Sequence, residues 1–452
     1  MSAHDNIQFA YPYLSNKCTL FVYKTHGHIE CVNNKNSYRI TSAACRIIAK
    51  CNGTSSFANI IEEITDGNTE DGDEIADSLV LVCQLVKKKI IRMNDFPKLT
   101  SPRIIDKSHI HYPKSMHIEV TSGCNLHCHY CYRDAHGVDK CSYINTNKLY
   151  PVLGELINKG LTTVEITGGE PLVHPNIKDI LLFCCNNIPI VTILSNGTLI
   201  DNDVIDLLHN YKSKLFLNIS LNSHIERDHD LRTGIAGSFN KTTNAIRLLS
   251  SHGFSVRVAM VVDEHNWPHV ENTLLLAKHL GATRFSYSSI MPTGRGASFF
   301  NPWSLDQDDV YKSELYLRDM YGDFLHLITD TEKKIIQSPG GCGMGNRAYA
   351  MDPYGNVRLC VSFDSRAGVL GSLFNESIDS VFGNTMTQSS AQLIPPSIEL
   401  CRPCKYSFFC NNCSLRGYIA SSWAGESNCT WLNLDETRKW RNMLHQNMHV
   451  EL

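Results

Sequence analysis

Between residues 112 and 300 the chain repeats one pattern. A short apolar run is followed by a stretch whose apolar residues recur at three- and four-residue spacing. The short runs read as strands, at His117–Thr121, Thr162–Thr167, Ile188–Leu194, Leu215–Leu221, Ser255–Val262 and Arg284–Ile290. The intervening periodic stretches read as helices: one beginning near Asn145, then Ile177–Cys185, Asn202–Tyr211, Phe239–Ser251 and Val270–Leu280. Strands alternating with helices predict an α/β fold with a parallel, helix-covered sheet. Six strands are too few for an eight-stranded barrel, so a partial barrel is expected, with its chemistry at the C-terminal strand ends.

The N-terminal region differs. Three strand-like segments, Cys18–Lys24, His28–Asn33 and Ser37–Thr41, precede helical patterns at Ser42–Cys51, Phe57–Asp66 and Asp73–Lys88. In the last helix Ile75, Leu79, Val82 and Val86 share a face, Asp73 is the expected N-cap, and Lys87, Lys88 and Lys89 suit the C-terminal end. The order resembles a winged helix over residues 1–99. A DNA-binding module would carry a basic footprint, but these residues hold 11 basic and 11 acidic side chains. Peptide binding fits better, because an exposed edge strand accepts an extended peptide as a further strand. Ala297 to Pro339 reads as a helical connection, a bridge over 301–340.

The whole-chain formal charge is −3, which argues against a nucleic-acid partner. No apolar run approaches membrane-spanning length, and Met1–Tyr13 lacks the layout of a signal peptide, so a cytoplasmic protein is expected. Against that background the 18 cysteines stand out, since a disulfide framework is not expected without export. Eight are scattered (Cys18, Cys31, Cys45, Cys51, Cys83, Cys141, Cys184, Cys185) and read as ordinary small buried residues. Ten fall into two spaced groups.

The first group, Cys124, Cys128 and Cys131, follows the first barrel strand at Cys-x3-Cys-x2-Cys spacing. Three thiolates can hold one corner of a [4Fe–4S] cube and leave one iron open. A zinc site would need a fourth ligand, for which His127 or His129 could serve. The second strand ends in Thr167-Gly168-Gly169-Glu170-Pro171, where glycines permit close backbone approach and Glu170 could accept from an ammonium. The third ends in Ser195-Asn196-Gly197-Thr198, a turn when read alone. Ser220 lies near the end of the fourth, and Arg232, a potential carboxylate clamp, comes twelve residues later. Each signal is weak alone, but their order along successive strand ends is specific.

Cys-x3-Cys-x-aromatic-Cys, with Tyr130 as the aromatic residue, followed by Gly-Gly-Glu-Pro, resembles the radical S-adenosylmethionine (SAM) superfamily. The resemblance implies a partial (β/α)6 barrel. It also implies that Cys124, Cys128 and Cys131 hold a [4Fe–4S] cluster whose open iron chelates the amino and carboxylate groups of SAM. Gly168, Gly169 and Glu170 would contact the methionine amino group. Tyr130, Ser195, Asn196, Ser220 and Arg232 would complete the cofactor site. Asn222 stands where relatives often have Asp.

The second group is Cys342, Cys360, then Cys401-x2-Cys404-x5-Cys410-x2-Cys413, then Cys429. A zinc ribbon could use the Cys-x2-Cys pairs. The order of seven cysteines resembles the SPASM domain, here 341–452. That resemblance implies two auxiliary iron–sulfur clusters, one on Cys401, Cys404, Cys410 and Cys429, the other on Cys342, Cys360 and Cys413. The family usually has Cys-x3-Cys where this chain has Cys410-x2-Cys413. Sulfatase-activating relatives carry a further Cys near the first and an Asp base beside a cluster cysteine. This chain has no such Cys, which implies an open iron on the first auxiliary cluster, and it has Val361 after Cys360.

Glu165–Pro175, Ser255–Val261 and Pro292–Gly296 resemble sactipeptide maturases of the subtilosin type, which fuse an N-terminal precursor-recognition element to the barrel. That likeness implies a leader-bearing precursor peptide as partner, an electron donor such as a flavodoxin or ferredoxin, and hydrogen abstraction leading to Cys thioether cross-links. Cyclophane-type carbon–carbon or carbon–oxygen cross-linking and peptide epimerisation stand as alternatives.

Overall fold

In the computed structural model, residues 1–111 and 112–452 fold as two units. The structure describes residues 9–22, 26–31, 37–65, 72–106, 110–299, 307–326, 330–363, 368–402 and 404–447. In the first unit the strands are β1 (Tyr11–Leu14), β2 (Cys18–Val22), β3 (His26–Cys31), β4 (Ser37–Thr41), β5 (Ile91–Asn94) and β6 (Arg103–Asp106). The three expected strands become β2, β3 and β4, an antiparallel meander, while their expected ends at Lys24 and Asn33 lie outside the described residues. Helices Ser42–Ala49, Phe57–Thr65 and Gly72–Lys87 come next. Thr41 starts the first by accepting from the Ala44 N–H at 3.1 Å. Leu20, Ile29, Ile47, Ile48, Ile60 and Val82 form the core between sheet and helices.

Four features depart from expectation. The helix expected from Asp73 begins at Gly72, so Asp73 is not its cap. β1 pairs with β5, and β6 joins the meander parallel to β2, giving the order β4-β3-β2-β6. These four-residue strands are too short to show a period. Cys18 and Cys31 are not ordinary buried residues: the β2–β3 register sets them opposite each other, Cα to Cα at 4.2 Å, and they form a disulfide. The physical reason is that antiparallel pairing brings facing residues to bonding range.

In the second unit the six expected strands are β7 (Ser115–Glu119), β8 (Thr163–Thr167), β9 (Ile190–Ser195), β10 (Leu215–Ser220), β11 (Ser255–Val262) and β12 (Arg284–Ser289). They pair in parallel, in order, each neighbour one helical crossover away. Apolar residues at alternate positions, such as Val256, Val258, Met260 and Val262 in β11, are buried on the helix side. The residues between them face the barrel interior, which places Ser220, Val261 and Ser288 toward one end. The expected partial barrel is thus the observed architecture.

The sheet does not stop at six strands. β13 (Ala348–Met351) adds parallel to the free edge of β7, and β14 (Asn356–Arg358) and β15 (Val369–Ser372) extend it antiparallel, making nine strands. The cysteine-rich C-terminal region is therefore built onto the barrel sheet. Between the two lie helices Gln307–Tyr321 and Asp330–Ile336, in the expected bridge. Among the described residues, no helix is long and apolar enough to cross a membrane.

Candidate functional site

The C-terminal ends of the barrel strands surround a cavity of about 510 Å³. Cys124, Cys128 and Cys131 line it, together with Tyr130, Gly168, Gly169, Ser195, Asn196, Ser220 and Asn222. The loop after β7 is held to the loop after β8 by backbone bonds, Gly169 N–H to Thr121 O and Glu170 N–H to Gly123 O, at 2.9 and 2.8 Å. That approach requires both glycines. A Cβ at Gly168, which has φ +143°, would meet Thr121 O at 2.3 Å, and one at Gly169 would meet Gly123 O at 2.1 Å.

Burial pushes the Cys124 thiol up to about 12 and the Cys128 thiol up to about 11, and like charge on the neighbouring cysteines adds to both. Isolated thiolates are therefore costly here, and a group that supplies positive charge to three sulfurs at once fits the site. Among the described residues no three Cys, His, Asp or Glu side chains close around one point as ligands of a single metal ion do. A cubane takes its thiolates on different iron atoms.

Glu170 does not line the cavity. Its carboxyl is fully buried and accepts from the Ser195 hydroxyl at 2.8 Å, the Asn196 N–H at 2.8 Å and the Leu172 N–H at 3.1 Å. Burial outweighs these donors and pushes its pKa up to about 7. Its visible task is to shape the Ser195–Asn196 turn, which presents Asn196 to the cavity, with the Asn196 amide donating to Asn125 Oδ1 at 2.9 Å. Arg232 also stands outside the cavity. Asp263 takes its guanidinium with both carboxylate oxygens, at 3.2 and 2.8 Å, and only 6% of the residue is exposed. The carboxylate it clamps here is the protein's own.

Two thiol sets occupy the C-terminal region. Charges on Cys342 and Cys413 both act on Cys360, whose thiol burial raises to about 11. Cys413 lines the large cavity, beside Val361 and Ser362. Cys401, Cys404, Cys410 and Cys429 line a separate pocket of about 20 Å³. Burial raises the Cys410 thiol, and the other three act on it in the same direction. Cys413 acts on it too, so the two sets are neighbours.

The cavity also holds residues that carried no sequence signal of their own. Arg133 donates to Glu119 at 2.7 Å and to Phe363 O at 3.2 Å. Glu119 also binds the wholly buried Arg358 at 2.6 Å. Arg295 donates to Cys128 O at 2.9 Å and to Ala135 O at 2.9 Å, stapling the cysteine loop. Its stretch, Pro292–Gly296, was visible only as a family likeness. Arg416, three residues after Cys413, donates to Ser289 O at 3.2 Å and contacts Met291 Sδ at 3.3 Å.

Residues 118–277 match the radical SAM superfamily. The chain is 32% identical to the antilisterial bacteriocin subtilosin biosynthesis protein AlbA of Bacillus subtilis over 328 residues, 71% of this chain and 72% of that protein. It is 24% identical to the sporulation killing factor maturation protein SkfB of the same organism over 249 residues, 55% of this chain and 60% of that one. Its fold resembles that of Streptococcus suis SuiB bound to the precursor peptide SuiA, with TM-score 0.54 and 13% identity, covering 90% of this chain and 96% of that one.

Proposed function

Because the chain belongs to the radical SAM superfamily, we propose that it matures a ribosomally made precursor peptide, closing bonds from peptide cysteine sulfur to peptide carbon. The observation that carries this reading is the shared cavity. Cys124, Cys128 and Cys131 face it from the barrel, and Cys413 faces it from the C-terminal region. About 510 Å³ has room for SAM beside part of an extended peptide.

Cys124, Cys128 and Cys131 would hold the [4Fe–4S] cluster of the family. Cys342, Cys360 and Cys413 would hold an auxiliary cluster with one iron not ligated by the protein, and Cys401, Cys404, Cys410 and Cys429 a second with four ligands. When bound and reduced, the SAM-site cluster supplies cleavage of SAM to a radical that takes hydrogen from carbon. The chain's own residues do the rest. Gly168 and Gly169 bring their strand-end loop onto the cysteine loop, and Ser220 and Asn196 offer polar groups to SAM. Leu126, Leu194, Val261, Met291 and Val361 make an apolar wall that keeps water from the reacting carbon. On the Cys413 side the peptide thiol would be held for bond formation. In the N-terminal unit β4 is an edge of its sheet, paired among the described residues with β3 alone, and would take the leader as an added strand. A flavodoxin or ferredoxin would supply electrons.

The test is tandem mass spectrometry of a candidate precursor co-expressed with the protein, followed by thiol alkylation. Loss of two hydrogens per cross-link, with the joined cysteines resistant to alkylation, is the expected result. Loss of two hydrogens with every cysteine still alkylated would replace thioether formation with side-chain carbon–carbon or carbon–oxygen cross-linking. Deuterium entering an α-carbon without mass loss in ordinary water would replace it with epimerisation.

A further inference from the structure

Three arginines line the large cavity, Arg133, Arg295 and Arg416, and among the described residues no Asp, Glu, Lys or His lines it with them. Two of the three are answered by a carboxylate. Arg133 pairs with Glu119 at 2.7 Å, and Arg295 with Asp134 at 2.8 Å. Arg416 has no carboxylate partner among the described residues. Its Nε donates to the Met291 sulfur at 3.3 Å, its Nη2 donates to Ser289 O at 3.2 Å, and its Cζ lies 5.3 Å from the centre of the Phe409 ring. These neutral groups hold the guanidinium in one place without cancelling its charge. Of the five N–H groups of an arginine two are used, which leaves both hydrogens on Nη1 and one on Nη2. Position adds to the charge. Arg416 is the third residue of helix Ser414–Ala424, whose first turn holds no acidic side chain. A helix N-terminus favours an anion, so a cation in the first turn costs stability rather than adding to it.

We propose that Arg416 is a carboxylate-binding subsite for the peptide. It takes an acidic side chain or the C-terminal carboxylate of the substrate, and so holds the neighbouring peptide residue on the Cys413 side of the cavity. N–H groups on Nη1 and Nη2 make a fork that matches the two oxygens of a carboxylate, whereas a single thiolate sulfur would use it poorly. Among the described residues the side chain makes no hydrogen bond to a cysteine sulfur. It crosses instead from the helix that follows Cys413 to Ser289, at the end of β12. That is the last barrel strand, two strands along the sheet from β10, while Asn196 and Ser220, which offer polar groups to SAM, lie just after β9 and at the end of β10. Three cations and no carboxylate on the wall also work against a peptide that brings Lys or Arg into the cavity. The inference rests on the reading of the chain as a peptide maturase, and narrows the peptide to one with a carboxylate close to a joined residue.

The experiment follows modification of Arg416 by phenylglyoxal in the reconstituted holoenzyme, with and without SAM, by peptide mass spectrometry. The probes are three N-acetylated dipeptides: Cys-Glu amide, Cys-Gln amide, and Cys-Gln with a free C-terminus. Arg416 should be modified when no probe is present, and the Cys-Gln amide should not protect it. Saturable protection by the Cys-Glu amide places an acidic side chain in the subsite. Protection by the free-acid Cys-Gln alone places a C-terminal carboxylate there. In Arg416→Gln the dissociation constant of the protecting probe, read by equilibrium dialysis, should rise about 10-fold, and that of the Cys-Gln amide should stay unchanged. Equal protection by all three probes, or by none, overturns the proposal. So does an Arg416 that SAM alone shields, or one that the reagent never reaches, and these results decide the matter even where Arg416→Gln does not fold. An Arg416→Gln protein that keeps its preference among the probes but shifts the midpoint potential of a cluster would make the guanidinium a counter-charge for iron and sulfur, and overturns it too. A candidate precursor left unmodified on co-expression, with Arg416 still protected by a carboxylate probe, would break the maturase reading and leave the subsite standing.

Discussion

Two thiol sets in the C-terminal region live in different surroundings. Cys401, Cys404, Cys410 and Cys429 enclose a pocket of about 20 Å³, while Cys413, with Cys342 and Cys360 beside it, opens on the cavity of about 510 Å³ that the barrel cysteines also face. The difference is one of access. Four thiols around so small a pocket make a closed set, with no room for a peptide. Cys413, at the wall of the large cavity, makes its set an open one. The barrel set repeats the second arrangement, again with three cysteines and the same open space. On the proposed assignment, the space in front of each set would separate clusters that a substrate could reach from one that only electrons could.

The largest effect should come from the barrel set. Replacing Cys124, Cys128 and Cys131 together by Ala should abolish SAM cleavage and remove about four irons per chain. Retained cleavage would sink the assignment. In the C-terminal region the two sets should part ways. Cys413→Ala should keep SAM cleavage and reduce cross-linked product about 100-fold, whereas Cys401→Ala should cost about 10-fold in product by slowing electron flow. Equal losses in the two variants would erase the distinction between open and closed sets. Product is read by mass spectrometry and cleavage by release of 5′-deoxyadenosine.

A third prediction concerns what holds the two open sets together. Arg133, two residues after Cys131, and Arg358, two before Cys360, both bind Glu119 at the end of β7. Arg358 is wholly buried, and its Nε and Nη1 have no hydrogen-bond partner among the described residues. Arg358→Met should destabilise the unit by about 3 kcal/mol, since Glu119 loses a buried charge partner. Urea unfolding would show this as a lower midpoint with an unchanged slope. Stabilisation instead would mean that the unsatisfied guanidinium costs more than its bond to Glu119 returns.

The barrel was legible because its strands are buried on one face by regular alternation and its helices carry clear apolar periods. Observed strand ends fall within about two residues of those read from the pattern, the usual range for boundaries. The cysteine sets were legible from spacing. What escaped is long-range or locally featureless. The helix Glu226–Thr233 is almost wholly polar along its length, so no apolar period marks it, and it carries Arg232. Its end is set by Gly234 in the left-handed conformation. Arg232 reads as a clamp for a ligand carboxylate, but Asp263, 31 residues away, takes it. Arg295 reaches Cys128 across 167 residues, which no local pattern encodes. The Cys18–Cys31 pair was missed for a different reason: seeing it needs the hairpin register, and the residues that would reveal the turn show no turn signal strong enough to fix it.

The smallest effect tests the buried carboxyl that holds the Ser195–Asn196 turn. Glu170 is fully buried, and burial raises its pKa from 4.5 to about 7. A raised folded-state pKa means the neutral carboxyl is the form the fold favours. The stability it contributes is complete below the unfolded value of 4.5, declines as pH rises, and is gone above about 7. Between about pH 6 and pH 7 the loss should be about 1 kcal/mol. Glu170→Gln removes this titration. It also turns an NH2 group toward the Asn196 N–H, where an acceptor is needed, at a cost of about 1–3 kcal/mol. The variant should therefore be the less stable protein at pH 6, with the gap narrowing by about 1 kcal/mol toward pH 7.5. The other titrating groups are common to both proteins and cancel in the difference. A gap that widens with pH would show that the three donors hold Glu170 ionised, and that the Ser195–Asn196 turn is pinned by a charge rather than by a neutral carboxyl.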